Sequence, residues 1–383
     1  MIVTKKQKQI DRLLFGAVLA LVIIGILMIY SASSIRGAEK WGDSTRFVKA
    51  HMIRVGIAVL FLMILSRIDY HHMRVFTPFL LIITLVLLVY VLIQPPFHGS
   101  RRSILLFDRR FQPSELMKLT VIFYLSAILA KGIRSNGVDG NQLYIHLGII
   151  IGSVALVLIE PDLGTAMVIF LIAVMMFYLS GMHWSQLNRL IWFIPPIISI
   201  GVLAFPYQRK RLFDFINYLL GRAPLTYHVK QSVIALANGG FSGMGYGEGR
   251  QKLSFLPEPF SDFILASLGE ELGFIGLLLV FGILVFIMWR GIRIAMRAPD
   301  QYGFLLASGI VGMIMVNALM NAGVIVHLLP TTGLPFPFIS YGGSSLIVHM
   351  IGIGILLNIS QRQAVKEKGP IVHGDLIERM TGE

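Results

Sequence analysis

The chain has 383 residues, 55% hydrophobic and only 14% charged, with a formal net charge of +13 and a mean hydropathy of +0.75. These values exclude a soluble globular protein, and apolar windows of ~20 residues, each able to cross the ~30 Å hydrocarbon core as a helix, recur along the chain. With no cysteine there is no disulfide framework, thiol nucleophile or Cys-ligated metal, and the basic residues are too dispersed to form a nucleic-acid-binding domain.

Ten spans are expected, giving an all-α polytopic membrane fold. In chain order they are Leu13–Ala32, Phe47–Ser66, Phe76–Ile93, Leu116–Leu129, Ile145–Ile159, Thr165–Ser180, Leu190–Phe205, Phe263–Trp289, Phe304–Met320 and Ser344–Ile359. Ser31-Ala32-Ser33 resembles a signal-peptide cleavage site, but the first apolar stretch is too long for an h-region and more spans follow, so it is expected to be retained. An even number of spans puts both termini on one face. Counted over every loop, Lys plus Arg divide almost evenly between the faces. The 56-residue stretch Pro206–Ser261 is too long for the positive-inside rule, and leaving it out places the termini in the cytoplasm. The expected organisation is one membrane domain over 1–383, with a cytosolic tail at 1–12, a large extracytoplasmic loop at 206–261 between spans seven and eight, and a cytosolic tail at 361–383.

The outer loops keep many cations: Arg101, Arg102, Arg109 and Arg110 in one, and seven more Lys or Arg between Arg209 and Lys252 in another. Anionic headgroups account for most of them, and an anionic substrate fits a subset, because Arg and Lys recognise phosphate by fork geometry and point charge. Four segments place polar groups where a membrane makes them expensive. In Gln112-Pro113-Ser114-Glu115-Leu116-Met117-Lys118, Glu115 and Lys118 stand three apart at a helix start, as an interfacial ion pair or as functional groups. In Pro161-Asp162-Leu163-Gly164-Thr165, Asp162 caps the next helix or takes part in chemistry. Gly342-Gly343-Ser344-Ser345 opens the tenth span with amides and hydroxyls suited to an anion, or with a small-residue helix contact. The stretch Tyr227–Gly273 carries dense glycine with no strand-turn-helix unit around it, as backbone shaped to a ligand, backbone re-entering the membrane face, or a flexible loop. It runs into Leu256-Pro257-Glu258-Pro259-Phe260-Ser261-Asp262-Phe263, which sets the Asp262 carboxylate at the mouth of a helix bundle as the expected working group.

Gln231-Ser232, Gly239-Gly240, Gln251-Lys252, Leu256-Pro257-Glu258, Asp262-Phe263, Glu270-Glu271-Leu272-Gly273, Gln112-Pro113-Ser114-Glu115, Pro161-Asp162-Leu163-Gly164-Thr165, Leu328-Leu329-Pro330 and Ser340-Tyr341-Gly342-Gly343-Ser344-Ser345 resemble, in order and spacing, the SEDS family of bacterial glycan polymerases across essentially the whole chain. Gln251-Lys252-Leu253-Ser254-Phe255 and Arg297-Ala298-Pro299-Asp300 are more similar to its division-type branch, FtsW, than to the elongation-type branch, RodA.

The resemblance implies polymerisation of lipid II at the outer face of the bacterial cytoplasmic membrane. The GlcNAc 4-hydroxyl of lipid II attacks the lipid-linked glycan, and undecaprenyl diphosphate leaves. Asp262 matches the family's catalytic aspartate, and Arg102, Glu115, Lys118, Asp162, Gln231, Arg250, Lys252, Glu258, Glu271, Gly342, Gly343 and Ser344 are the implied substrate-binding positions. One carboxylate suffices, because a diphosphate leaves as a stable anion and needs cations rather than a second acid. Arg102, Lys118, Arg250 and Lys252 are the candidate cations, and a divalent ion (Mg or Mn) is a further candidate. The implied partners are a class B penicillin-binding protein and other divisome or elongasome membrane proteins. Departures from the family pattern are Ser103 for tryptophan, Glu160 for glutamine and His327 for glycine. A lipid-linked oligosaccharide flippase, or a scaffold recruiting a transpeptidase, are the competing readings.

Overall fold

The computed structural model describes residues 10–95, 102–106, 109–132, 140–182, some positions between 188 and 202, 205–253 and 255–362. The two expected tails fall almost wholly outside the described residues, as do Arg101, Ser254 and part of the expected seventh span. The elements are α1 (Arg12–Trp41), α2 (Arg46–Arg67), α3 (Tyr70–Ile93), a short hairpin of β1 (Ile104–Leu106) and β2 (Arg109–Phe111), α4 (Pro113–Gly132), α5 (Gly140–Ile159) and α6 (Leu163–Leu179). They continue with α7 (Pro206–Leu219), α8 (Tyr227–Gly239), α9 (Ile264–Met296), α10 (Gln301–Ile325) and α11 (Gly343–Gln361).

Seven of the described helices, α1 to α4 and α9 to α11, are long and apolar enough to cross a bilayer, and α5 and α6 are shorter apolar helices. These nine lie at the positions expected from hydropathy, and the chain is an integral membrane protein. The long polar stretch is less loop-like than its composition implied, since it folds into α7, α8 and a 3₁₀ turn at Gln251–Leu253.

Hydrocarbon offers no hydrogen bonds, so helix ends must satisfy their amides within the protein. Four aspartates do this as N-caps: Asp11 accepts from Leu14 N at 3.0 Å, Asp69 from His71 N at 3.0 Å, Asp162 from Thr165 N at 3.0 Å and Asp300 from Gly303 N at 2.7 Å. Asp11 also holds Arg290 of α9 at 2.5 Å, tying the start of α1 to the far end of α9.

α4, α10 and α11 form the buried centre, whereas α2, α3 and α9 turn much of their surface to lipid. α11 packs along α2, α3 on α4, and α10 against α4, α6 and α9. α9 is not straight. Gly273 adopts φ 64°, ψ −163°, which frees backbone groups inside a membrane helix. The glycine-rich segment after α8 takes them up: Met244 N and Gly245 N donate to the Glu270 and Glu271 carbonyls at 3.0 Å, and Phe274 N and Ile275 N donate to the Gly240 and Phe241 carbonyls at 3.0 and 3.2 Å. The dense glycine therefore serves close backbone pairing between loop and helix.

On the face opposite this loop, polar contacts clamp three turns. Arg362 pairs with Asp69 at 2.7 Å, His71 bridges Asp69 and Asp300 at 2.7 Å each, and Tyr70 Oη donates to Asp300 at 2.7 Å. Beneath them Asn358 of α11 accepts from Tyr70 N and donates to the Ser66 carbonyl, both at 3.0 Å. Asn358→Leu leaves the Tyr70 amide without its acceptor, while Gln361 Nε2 still donates to the Ser66 carbonyl at 3.0 Å, so a loss of about 1–3 kcal/mol is expected. A lowered unfolding temperature of the purified protein in detergent checks this.

Candidate active site

The described ends of the helices opposite that clamp gather around a cavity of about 460 Å³, whose walls include Arg54, Arg102, Arg110, Glu115, Asp262 and the Gly342–Ser345 start of α11. Asp262 is fixed by its backbone. Asn321 of α10 donates to the Asp262 and Leu334 carbonyls at 2.9 and 2.7 Å, Ser340 Oγ donates to the Ser261 carbonyl at 2.7 Å, and Tyr341 N donates to the Phe260 carbonyl at 2.9 Å. The proline-flanked segment thus lies against the loop leading into α11. Among the described residues its carboxylate accepts a hydrogen bond only from Ser261 Oγ, at 3.1 Å, and is left turned to the cavity.

Arg102 reaches the same spot from the hairpin. Gly333, at φ +74°, lies beneath both groups: a Cβ there would stand 3.4 Å from Asp262 Oδ2 and 3.7 Å from Arg102 Nη1. A side chain at 333 would need a conformation that L residues avoid and would crowd the acid and its cation.

A helix start beside a carboxylate stabilises its charge and weakens it as a base. Desolvation is the larger influence, and it raises the proton affinity of the carboxyl against the opposing pull of Arg102, Ser261 and Arg211. Asp262 does not cap α9, so it gives up little of its charge to the helix amides.

The remaining wall is built by Gln112, whose amide group bridges Ser114 Oγ at 3.0 Å and Asp162 Oδ2 at 2.8 Å, and whose backbone N donates to Ser344 Oγ at 3.0 Å. Asp162 caps α6 and also accepts from Thr165 Oγ1 at 2.9 Å. Glu115 and Lys118 form a buried ion pair at 2.9 Å, their side chains 3% and 0% exposed. The pair continues inward as Lys118 donates to Asn317 Oδ1 at 3.3 Å and Asn317 Nδ2 meets His349 Nε2 at 3.1 Å. That contact assigns the ring proton to Nδ1, 2.7 Å from the Ser345 carbonyl. Among the described residues no group of three His, Asp or Glu side chains is placed to hold a metal ion; at the cavity, guanidiniums of Arg54, Arg102 and Arg110 supply positive charge.

Residues 11–365 match the model of the family FTSW_RODA_SPOVE, described as cell cycle proteins. The chain belongs to the FtsW/RodA/SpoVE family. It is 37% identical to Stage V sporulation protein E of Bacillus subtilis (strain 168), covering 94% of this chain and 99% of that protein. It is also 37% identical to the probable peptidoglycan glycosyltransferase FtsW of Trichlorobacter lovleyi, covering 92% and 93%. Among solved structures, a chain from the work "Structural coordination of polymerization and crosslinking by a peptidoglycan synthase complex" superposes with TM-score 0.73 at 23% identity, covering 92% of this chain and 98% of that one. The Thermus thermophilus rod shape determining protein RodA superposes with TM-score 0.68 at 24% identity, covering 93% and 98%. This FtsW/RodA/SpoVE chain has their fold.

Of the family-implied positions, Asp262, Arg102, Glu115, Gly342, Gly343 and Ser344 meet at the cavity. Lys118 and Asp162 stand directly behind it, through Glu115 and Gln112. Lys252 and Glu271 are together elsewhere, in a buried pair at 2.6 Å, with Lys252 also donating to Ser31 Oγ and the Gly247 carbonyl at 2.7 Å each. Their geometry fastens the glycine-rich segment to α1 and α9. Gln231 and Arg250 do not line the cavity, Arg250 being exposed, and Glu258 makes an exposed ion pair with Arg36 at 3.6 Å. Two cationic residues went unselected in the sequence reading: Arg54, across the Tyr341 ring at 4.3 Å, and Arg211, whose Nη1 donates to the Thr331 carbonyl at 2.9 Å. An arginine inside an apolar run was the available signal for Arg54.

Glu160, in the turn between α5 and α6, is 0% exposed, and neither carboxyl oxygen has a hydrogen-bond partner among the described residues. Burial first, then Asp162, pushes its pKa up to about 9, against the nearby Ser114 hydroxyl and the attraction of Arg102. Between the usual 4.5 and about 9 the folded state therefore holds a proton that the unfolded chain has lost, and stability falls as pH rises through that window. Glu160→Gln is expected to flatten this decline, read as unfolding temperature against pH from 5 to 9 for the two proteins. Lys252→Met leaves the buried Glu271 carboxylate unpaired and is expected to cost about 3–5 kcal/mol. Lys252→Met/Glu271→Leu recovers part of it, since Ser31 Oγ and Gly247 N then lose their Glu271 acceptor, as a double-mutant cycle in denaturant measures.

Proposed function

We propose that the chain is a peptidoglycan glycosyltransferase that polymerises lipid II, with Asp262 as the base. The observation that carries this reading is the juxtaposition of Asp262 and Arg102 on one wall of a water-accessible cavity at the helix ends. The Asp262 carboxylate takes the proton of the acceptor 4-hydroxyl as its oxygen bonds to the anomeric carbon of the lipid-linked donor. The bond from that carbon to the diphosphate oxygen breaks, and undecaprenyl diphosphate leaves with the electron pair. Desolvation makes Asp262 a better base than a solvated carboxylate, and the guanidiniums of Arg102, Arg54 and Arg110 offset charge on the diphosphates. No leaving-group acid is needed, since the diphosphate departs as an anion.

The cavity walls come from helix ends and loops on one face, with Arg54 lying two turns into α2. This favours chemistry at a membrane surface over passage through the bundle. The distribution of Lys and Arg in the short loops supports placing both termini in the cytoplasm and the cavity on the exoplasmic side of the bacterial inner membrane. Likeness to a chain of a peptidoglycan synthase complex supports a class B penicillin-binding protein as partner, with lipid II as substrate.

The test is reconstitution of the purified protein with lipid II, with and without such a partner. Glycan product is expected from the wild type alone or in the complex, and Asp262→Asn and Asp262→Ala are expected to lose about 10²–10⁴-fold in rate while keeping their unfolding temperature and partner binding. Unchanged product from both variants rejects Asp262 as the base.

A further inference from the structure

The described helix α7 has an inner face fully engaged by the protein. Gln208 Nε2 donates to the Pro161 carbonyl at 2.7 Å, Arg211 Nη1 to the Thr331 carbonyl at 2.9 Å, and the Phe215 and Tyr218 rings meet His327 at 5.2 and 4.6 Å. Leu212 closes a small apolar cavity of about 180 Å³ with Leu163 and Met167, which lie in the first turns of the apolar helix α6. These contacts set the depth of α7: it lies beside the first turns of a membrane helix, at the edge of the hydrocarbon.

Among the described residues the other side of α7 has no such partners. Arg209, Phe213, Ile216 and Leu220 are spaced i, i+4, i+7 and i+11, one stripe of a helix, and Phe213 and Leu220 are 54% and 56% exposed. No other helix of the described chain is as amphipathic. Arg209, which begins the stripe, and Lys210 beside it are exposed, Arg222 is exposed just beyond its end, and Asp214 is the only acid on the helix. An apolar stripe at that depth, bordered by cations, complements anionic headgroups above and acyl chains below.

We propose that α7 is an interfacial helix that seats the Arg209, Phe213, Ile216 and Leu220 stripe in the anionic lipid of the leaflet on the cavity side. Arg211 projects from the opposite side of the same helix and acts on Asp262, so lipid contact and the cavity share one rigid element. The inference requires only that the chain spans a membrane and is independent of the glycosyltransfer reading.

The absence of native cysteine allows single nitroxide labels at Phe213→Cys, Ile216→Cys and Leu220→Cys in the full chain. Val86→Cys, on the lipid side of α3, and Glu248→Cys, on the exposed loop, serve as references for lipid and water. In nanodiscs of phosphatidylethanolamine with phosphatidylglycerol, power saturation is expected to show oxygen collision exceeding collision with a water-soluble nickel chelate at 213, 216 and 220, as at 86 and opposite to 248. Replacing phosphatidylglycerol by phosphatidylcholine, or adding Arg209→Gln and Lys210→Gln, is expected to shift all three labels toward nickel. Labels that behave like position 248 in the anionic discs overturn the proposal and leave the stripe to a protein partner. Labels that stay lipid-like after the charge is removed overturn the anionic requirement. Each variant's unfolding temperature reports its fold, and any one of the three positions is sufficient for the reading.

Discussion

A carboxylate at the rim of an apolar bundle loses its hydration before it meets its reactant, and the architecture around Asp262 follows from that cost. Burial raises the proton affinity of the group, and Arg102 and Arg211 temper the rise without a hydrogen bond that would occupy its oxygens. Fixing it through the backbone resolves the conflict. Asn321, Ser340 and Tyr341 hold the chain on either side of the acid, so its position is rigid while the carboxylate stays turned to the cavity.

The same scarcity of partners within hydrocarbon explains the other polar groups. Freed backbone at the α9 kink pairs with the glycine-rich segment, Lys252 and Glu271 neutralise each other beside it, and Glu115, Lys118, Asn317 and His349 close a buried polar chain behind the cavity wall. A buried ion pair is weak evidence of stability, because desolvation consumes much of the attraction. What such pairs supply here is registration of loops and helices around a cavity that must keep its shape. Glu160, His51 and His327 are exceptions, buried side chains without a hydrogen-bond partner in the described structure, and at Glu160 the neutral form limits the cost.

α7 joins this rigid face to the bilayer. One side of the helix is committed to Pro161, Thr331 and His327, and the other presents apolar and cationic side chains.

Hydropathy alone located the seven described helices long enough to cross a bilayer and the two shorter apolar ones, because transfer of a ~20-residue apolar run into lipid depends on composition and hardly on neighbours. Local chemistry likewise marked Asp262 at a span mouth and the Glu115–Lys118 spacing. Pairings across the chain were not legible. Lys252 and Glu271 each read as a candidate for the substrate site and prove to be each other's partner, while Arg54, eight residues into α2, reaches the cavity only because α2 packs along α11. Periodicity and transfer energy are properties of short segments, and they were sufficient to place the membrane helices and to set Asp262 at the mouth of one of them. Which charges converge on that acid depends on distances between residues far apart in the chain, and those exist only once the helices have packed.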